Sequence, residues 1–303
     1  MNRFRGAFTP IATPFLQNGN LDEAGLRRNI ARWMTTPLTG LVVLGSNGEA
    51  PQLDDDEADR VVEISREAMP KSRPLIVGTG RESTRATIAA TQRAAALGAD
   101  AALVRTPSFF KSQMTAPVFV RHYTAVADAS PIPVLLYNVA IFTGVNLQPE
   151  AVGTLGAHPN IVGMKDSGSD IGLIAEFIAQ TPDDFVVLAG SAATLVHALA
   201  AGCDGGILAL ASLIPDEIVR MQSLVTDGKL TEARALQRRL MPLARSLGGV
   251  HGIPGLKAAL ELMGFAAGPP RPPLLPVTPQ TVELLRTQLG ALGLLETPSE
   301  VRG

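Results

Sequence analysis

Short apolar runs alternate with amphipathic stretches along most of this chain. Runs of four to six residues, each closed by turn residues, read as buried strands rather than helices. Eight stand out: Ala7–Ala12, Gly40–Leu44, Leu75–Gly78, Ala101–Val104, Val134–Tyr137, Ile161–Lys165, Phe185–Ala189 and Gly205–Leu208. Between them lie helix-start signals: Asp22 before Glu23, Asp54 before a run of acids, Ser83-Thr84, Thr115, Pro149-Glu150 and Asp216-Glu217. Strands separated by helical crossovers pair in parallel. Eight such units predict a closed (β/α)₈ TIM barrel over residues 1–227, with an open doubly wound sheet as the alternative. Even strand spacing favours closure.

Beyond residue 227 the strand pattern stops. Helices are expected at Lys229–Ser246, Leu256–Met263 and Pro279–Leu289, so residues 228–303 read as a C-terminal helical appendage. The segment Gly268-Pro269-Pro270-Arg271-Pro272-Pro273 can be neither helix nor strand interior. Thr278-Pro279 restarts a helix with a cap residue and a proline in its first position.

Composition narrows the function. The 303 residues are 46% hydrophobic and 18% charged, which fits a globular protein with a large core. A net charge of −2 and scattered basic residues give no footprint for nucleic acid or an anionic membrane. No apolar run reaches the length of a membrane helix, and the N-terminus does not read as a signal peptide. The single cysteine, Cys203, suits a cytoplasmic setting and reads as a small packed apolar residue. His122, His158, His197 and His251 lack metal-ligand spacing, and Gly78-Thr79-Gly80 lacks the third glycine of a dinucleotide fingerprint.

In a barrel of this kind, chemistry gathers at the C-terminal ends of the strands. The polar residues expected there are Ser46, Asn47, Thr79, Thr106, Tyr137, Asn138, Lys165, Asp166, Ser167 and Ser191. Lys165 closes the run Ile161-Val162-Gly163-Met164 and precedes Asp166-Ser167-Gly168. Burial disfavours an ammonium, and a desolvated lysine amine can attack a ketone to form a Schiff base. The alternative is a lysine that snorkels or pairs with Asp166. Tyr137 is either a proton carrier or a core residue with a satisfied hydroxyl. Tyr123 falls mid-helix and reads as packing. In the turn Gly45-Ser46-Asn47-Gly48-Glu49 the two glycines can let the backbone approach a ligand and aim amides at an anion; the alternative is a tight strand-to-helix turn capped by Ser46 or Asn47.

Taken together, several motifs resemble the dihydrodipicolinate synthase / N-acetylneuraminate lyase family of pyruvate-type class I aldolases. They are Gly45-Ser46-Asn47-Gly48-Glu49, Tyr137-Asn138-Val139 with Thr143-Gly144, and Gly163-Met164-Lys165-Asp166-Ser167. Gly190-Ser191, Gly205-Gly206-Ile207 and Gly252-Ile253-Pro254-Gly255-Leu256-Lys257 extend the likeness over nearly the whole chain. Within the family, the Ser-Asn pair and the Lys-Asp-Ser-Gly stretch look most like 4-hydroxy-2-oxoglutarate aldolase.

The resemblance implies a cofactor-free, metal-free lyase acting on pyruvate or a pyruvate-derived 2-keto acid, assembled as a homotetramer of tight dimers. Lys165 would form the Schiff base and Tyr137 would shuttle the proton. Ser46 and Asn47 would hold the C1 carboxylate, with Ser167 and Ile207 lining the pocket. The family also holds synthases of dihydrodipicolinate and dehydratases or aldolases of 2-keto-3-deoxy sugar acids. A non-catalytic keto-acid sensor is the reading from another class. Three positions depart from the family pattern. Phe109-Phe110 stands where a relay tyrosine is usual, Ala140 replaces a proline, and Phe142 falls where the synthases carry an arginine.

Overall fold

The computed structural model describes residues 3–295. Its eight parallel strands are β1 (Gly6–Pro10), β2 (Gly40–Val43), β3 (Leu75–Gly78), β4 (Ala101–Arg105), β5 (Val134–Asn138), β6 (Ile161–Asp166), β7 (Val186–Ala189) and β8 (Gly205–Ile207). Each pairs with the next, and β8 pairs back onto β1 through Gly6↔Gly205 and Phe8↔Ile207. The sheet is therefore a closed barrel, and the open alternative is excluded. Closure depends on a bare backbone at Gly205, which has φ +151° and where a Cβ would lie 2.0 Å from Gly6 O.

Two-residue periodicity sorts the strand side chains. Phe8, Val42, Ile76, Leu103, Leu135 and Leu188 fill the barrel interior. Their neighbours Leu41, Val43, Val77, Val104, Leu136 and Met164 belong to the larger core between strands and helices. Tyr137 and Ile207 share the interior set, and Lys165 pairs in register with Tyr137 on one side and Leu188 on the other. Register alone thus points the lysine into the barrel.

The helix caps follow the sequence signals. Asp22 accepts from Gly25 N at 2.8 Å, and Ser83 accepts from Ala86 N at 3.1 Å. Asp54 and Glu57 form a reciprocal capping box. Thr115 heads the helix Ala116–Ala129 without a side-chain cap bond. Beyond residue 227 the helices are Leu230–Arg245, Gly252–Leu262 and Pro279–Ala291, and the five residues Ser246–Val250 form a π-turn between the first two. The helix Gly252–Leu262 starts four residues before its expected Leu256, because Pro254 falls in the first turn, where a missing N–H costs nothing. Among the described residues no helix is long and apolar enough to cross a membrane.

Candidate active site

Tyr137 on β5 and Lys165 on β6 are register partners at the C-terminal end of the barrel. Lys165 is 6% exposed, and its Nζ donates to Tyr137 Oη at 3.4 Å while lying 4.5 Å from the ring centroid. Tyr137 Oη in turn lies 3.2 Å from Ser46 Oγ. Burial pushes the Tyr137 phenol up. The Lys165 charge, with hydrogen bonds from Ser46, Ser167 and Lys165, outweighs that push and leaves it below its ordinary value. Tyr137 thus sits in a charged, hydrogen-bonded setting, unlike a passive core tyrosine. Tyr123 is one: it is fully buried, and its hydroxyl donates to Val104 O at 3.0 Å.

Asp166 points to the other face of β6, where Oδ1 accepts from Asn138 Nδ2 at 2.7 Å and Oδ2 from Gly168 N at 3.0 Å. Burial raises its carboxyl above the usual range against these hydrogen bonds. Asn138 Oδ1 also takes the Leu147 amide at 3.0 Å. Asp166 and Asn138 thus brace the strand ends and do not face Lys165. Thr79 bonds Thr91 at 2.8 Å, and Thr106 is fully buried, so neither reaches the site. The periodicity that turns Tyr137 and Lys165 inward turns these neighbours outward.

The Ser46–Gly48 turn is a single 3₁₀ turn. The residues flanking it, Leu44 and Glu49, are left-handed, both at φ 54°. Glycine is needed opposite the turn, because a Cβ at Gly78 would lie 1.9 Å from Leu44 O. Gly48 N donates to Gly45 O and Glu49 N to Ser46 O, both at 3.1 Å. Ser46 and Asn47 head the turn, where N–H groups have no intrahelical acceptor, so their amides are open to an anion.

The turn is anchored from behind. Glu49 and Lys257 form a fully buried ion pair at 2.6 Å. Glu49 Oε2 also accepts from Arg271 N at 2.7 Å, and Lys257 Nζ donates to Pro269 O at 2.9 Å. Burial pulls the Lys257 ammonium below the ordinary lysine value despite the neighbouring Glu49. The motifs that carry Glu49 and Lys257 are visible in the sequence, but their contact is not.

Ser46, Asn47, Tyr137, Lys165, Ser167 and Ile207 line one cavity of about 500 Å³. Ser167 is seated by Gly190, where a Cβ would come within 2.3 Å of its Oγ. The far wall comes from after residue 227, through Arg245, Leu247, Val250 and Ile253. Sequence reasoning placed the whole site on residues 1–227 and missed this wall; the paired glycines Gly248-Gly249 in an otherwise helical region were the available signal. Phe142 lines the cavity and is 62% exposed, while Phe109 is 78% exposed and is not part of the lining. Among the described residues no Asp or Glu lines the cavity, and no group of three or more His, Cys, Asp and Glu is placed to hold a metal. Buried Cys203, its thiol pushed up to about 12 by desolvation, packs away from the site. An amine touching an acidified phenol, beside open amides, can add to the ketone of a 2-keto acid and move a proton next to it.

Comparison with known proteins agrees with this chemistry. The model of the dihydrodipicolinate synthetase family matches residues 3–292. A 4-hydroxy-tetrahydrodipicolinate synthase from an Exiguobacterium species is 39% identical, covering 91% of this chain and 93% of that protein. One from Methanothrix thermoacetophila is 38% identical, covering 94% and 96%. Among solved structures, the chloride-inhibited dihydrodipicolinate synthase of Acinetobacter baumannii complexed with pyruvate is 31% identical, with a TM-score of 0.91 over 96% of this chain and 99% of that one. Fold, cavity and family agree, and the chain belongs to the dihydrodipicolinate synthetase family as a pyruvate-utilising lyase of the class I aldolase group.

Proposed function

We propose that the protein cleaves, or in reverse forms, the carbon–carbon bond of a 4-hydroxy-2-keto acid, releasing pyruvate in the manner of 4-hydroxy-2-oxoglutarate aldolase. The supporting observation is the continuous line Lys165 Nζ, Tyr137 Oη, Ser46 Oγ at 3.4 and 3.2 Å inside the cavity. Lys165 is the nucleophile: its amine, once deprotonated, adds to the C2 carbonyl, Tyr137 gives its phenol proton to the resulting hydroxyl, and loss of water leaves a protonated imine. Tyr137, deprotonated by that transfer, takes the proton of the C4 hydroxyl. The C3–C4 bond breaks, its electron pair moves into an enamine, and the aldehyde leaves. Protonation of the enamine carbon and hydrolysis of the imine free pyruvate and regenerate the amine. Ser46 and Asn47, with their amides, hold the C1 carboxylate, and Ser167 and Ile207 close the pocket around the reacting carbons.

The names of the relatives favour a second reading, synthesis of 4-hydroxy-tetrahydrodipicolinate. Against it stands the resemblance, which places an arginine of the synthases where this chain has the apolar Phe142. We propose residues 228–303, of which 296–303 lie outside the described residues, as a C-terminal helical region whose described part completes the cavity wall of the barrel. We also propose a homotetramer in the cytoplasm, on the family resemblance and the single buried cysteine. The test is borohydride reduction in the presence of pyruvate, followed by mass spectrometry. Wild type gains a covalent adduct on Lys165 and Lys165→Ala gains none; an adduct in the variant would reassign the nucleophile. Pyruvate release from 4-hydroxy-2-oxoglutarate, set against 4-hydroxy-tetrahydrodipicolinate formation, then separates the two readings.

A further inference from the structure

The basic groups on the cavity wall are Lys165 and Arg245, and no acidic side chain among the described residues shares that wall. Lys165 lies buried at the end of β6, beside the turn with open amides. Arg245 ends the helix Leu230–Arg245, is exposed, and has no ion-pair or hydrogen-bond partner among the described residues. It enters the wall with the π-turn Ser246–Val250, whose Gly248 and Gly249 have nothing within 4 Å of where a Cβ would stand. The neighbouring π-turn and Phe142 supply mostly apolar surface. A molecule seated at Ser46 and Asn47 by its C1 carboxylate and bound to Lys165 at C2 has the rest of its chain directed across this cavity. The arginine is the positive charge on that wall which imine formation does not use.

We infer that Arg245 is a specificity residue: it reads a second carboxylate at the distal end of the substrate, making this a site for keto diacids rather than keto acids with an apolar tail. The inference rests on the proposed placement of the keto-acid head at Lys165 and the Ser46–Asn47 turn. Guanidinium geometry matches a carboxylate through two parallel hydrogen bonds, which a lysine cannot reproduce. A single arginine provides one such fork, the number a terminal carboxylate requires. With no competing acid on the wall among the described residues, the guanidinium is free to take it.

The test needs no turnover. Binding of 2-oxoglutarate and of 2-oxopentanoate, which carries a methyl group where the diacid has its distal carboxylate, is measured calorimetrically at low salt. Wild type should bind the diacid about tenfold more tightly, the usual effect of a hydrogen-bonded charge. Arg245→Met should abolish that preference by weakening only the diacid, and Arg245→Lys should restore part of it. Equal binding of the two acids by wild type, tighter binding of 2-oxopentanoate, or a preference that survives Arg245→Met would each overturn the inference. Borohydride trapping of wild type with pyruvate, which has no distal group, reports on Lys165 alone. Loss of trapping in wild type would instead refute the proposed role of Lys165, so the two failures are separable.

Discussion

Replacing Lys257 of the buried ion pair with methionine isolates the anchor of the Ser46–Asn47 turn. Lys257 and Glu49 have side-chain exposures of 1% and 0% and lie 2.6 Å apart. Methionine keeps the length and apolar stem of the side chain but removes the charge. Glu49 Oε2 retains the Arg271 amide at 2.7 Å, whereas no donor among the described residues other than Lys257 reaches Oε1. Removing one member of a buried pair leaves an uncompensated charge and costs about 3–5 kcal/mol. Neutralising the survivor as well, in Lys257→Met with Glu49→Gln, should recover roughly 1–3 kcal/mol, the usual coupling of residues in direct contact. Urea unfolding followed by circular dichroism measures both quantities. Because Glu49 N donates to Ser46 O at 3.1 Å, the single variant should also bind pyruvate more weakly while still forming the trapped adduct at saturation. The reasoning fails if Lys257→Met costs less than about 1 kcal/mol, or if the double variant equals the sum of the singles.

Tyr137→Phe should lower kcat by at least about 10²-fold, the smaller end of general acid–base effects, with imine formation from pyruvate suffering less than aldol cleavage. Phe109→Tyr should leave kcat unchanged, since Phe109 lies outside the cavity wall and the hydroxyl line already runs from Tyr137 to Ser46; a large rate gain would refute that closed line. His122 is buried, bonded to Thr84 Oγ1 at 2.9 Å, and desolvation lowers its pKa from 6.5 to about 4. The unfolded chain therefore binds more protons between those values, so stability is lost as pH falls from about 6.5 towards about 4, by roughly 3 kcal/mol in all. His122→Leu should flatten the stability profile across that window, and an unchanged slope from urea titrations would assign the acid sensitivity to other groups.

Local pattern was enough for the barrel's parts. Eight apolar runs of strand length, set between capped helices, leave few other arrangements, and the observed strands fall within two residues of their expected bounds. Lys165 and Tyr137 stood out as candidates for the same reason, since a polar residue closing a buried strand falls at the C-terminal rim of the barrel. Closure of the sheet needed the β8–β1 pairing, a contact between residues about 200 positions apart that no local signal encodes. Periodicity alone also left Asn138 and Asp166 level with Tyr137 and Lys165. Barrel register separated the pairs by assigning alternate residues to opposite faces. The Glu49–Lys257 pair and the wall bearing Arg245 were invisible for a related reason: each joins segments far apart in sequence, and electrostatic partners are chosen by distance in space. The order of residues by itself determined which side chains were available and, to within two residues, where each strand ended. Tertiary structure decided which of them share a cavity, because only packing determines which polar groups lose water together.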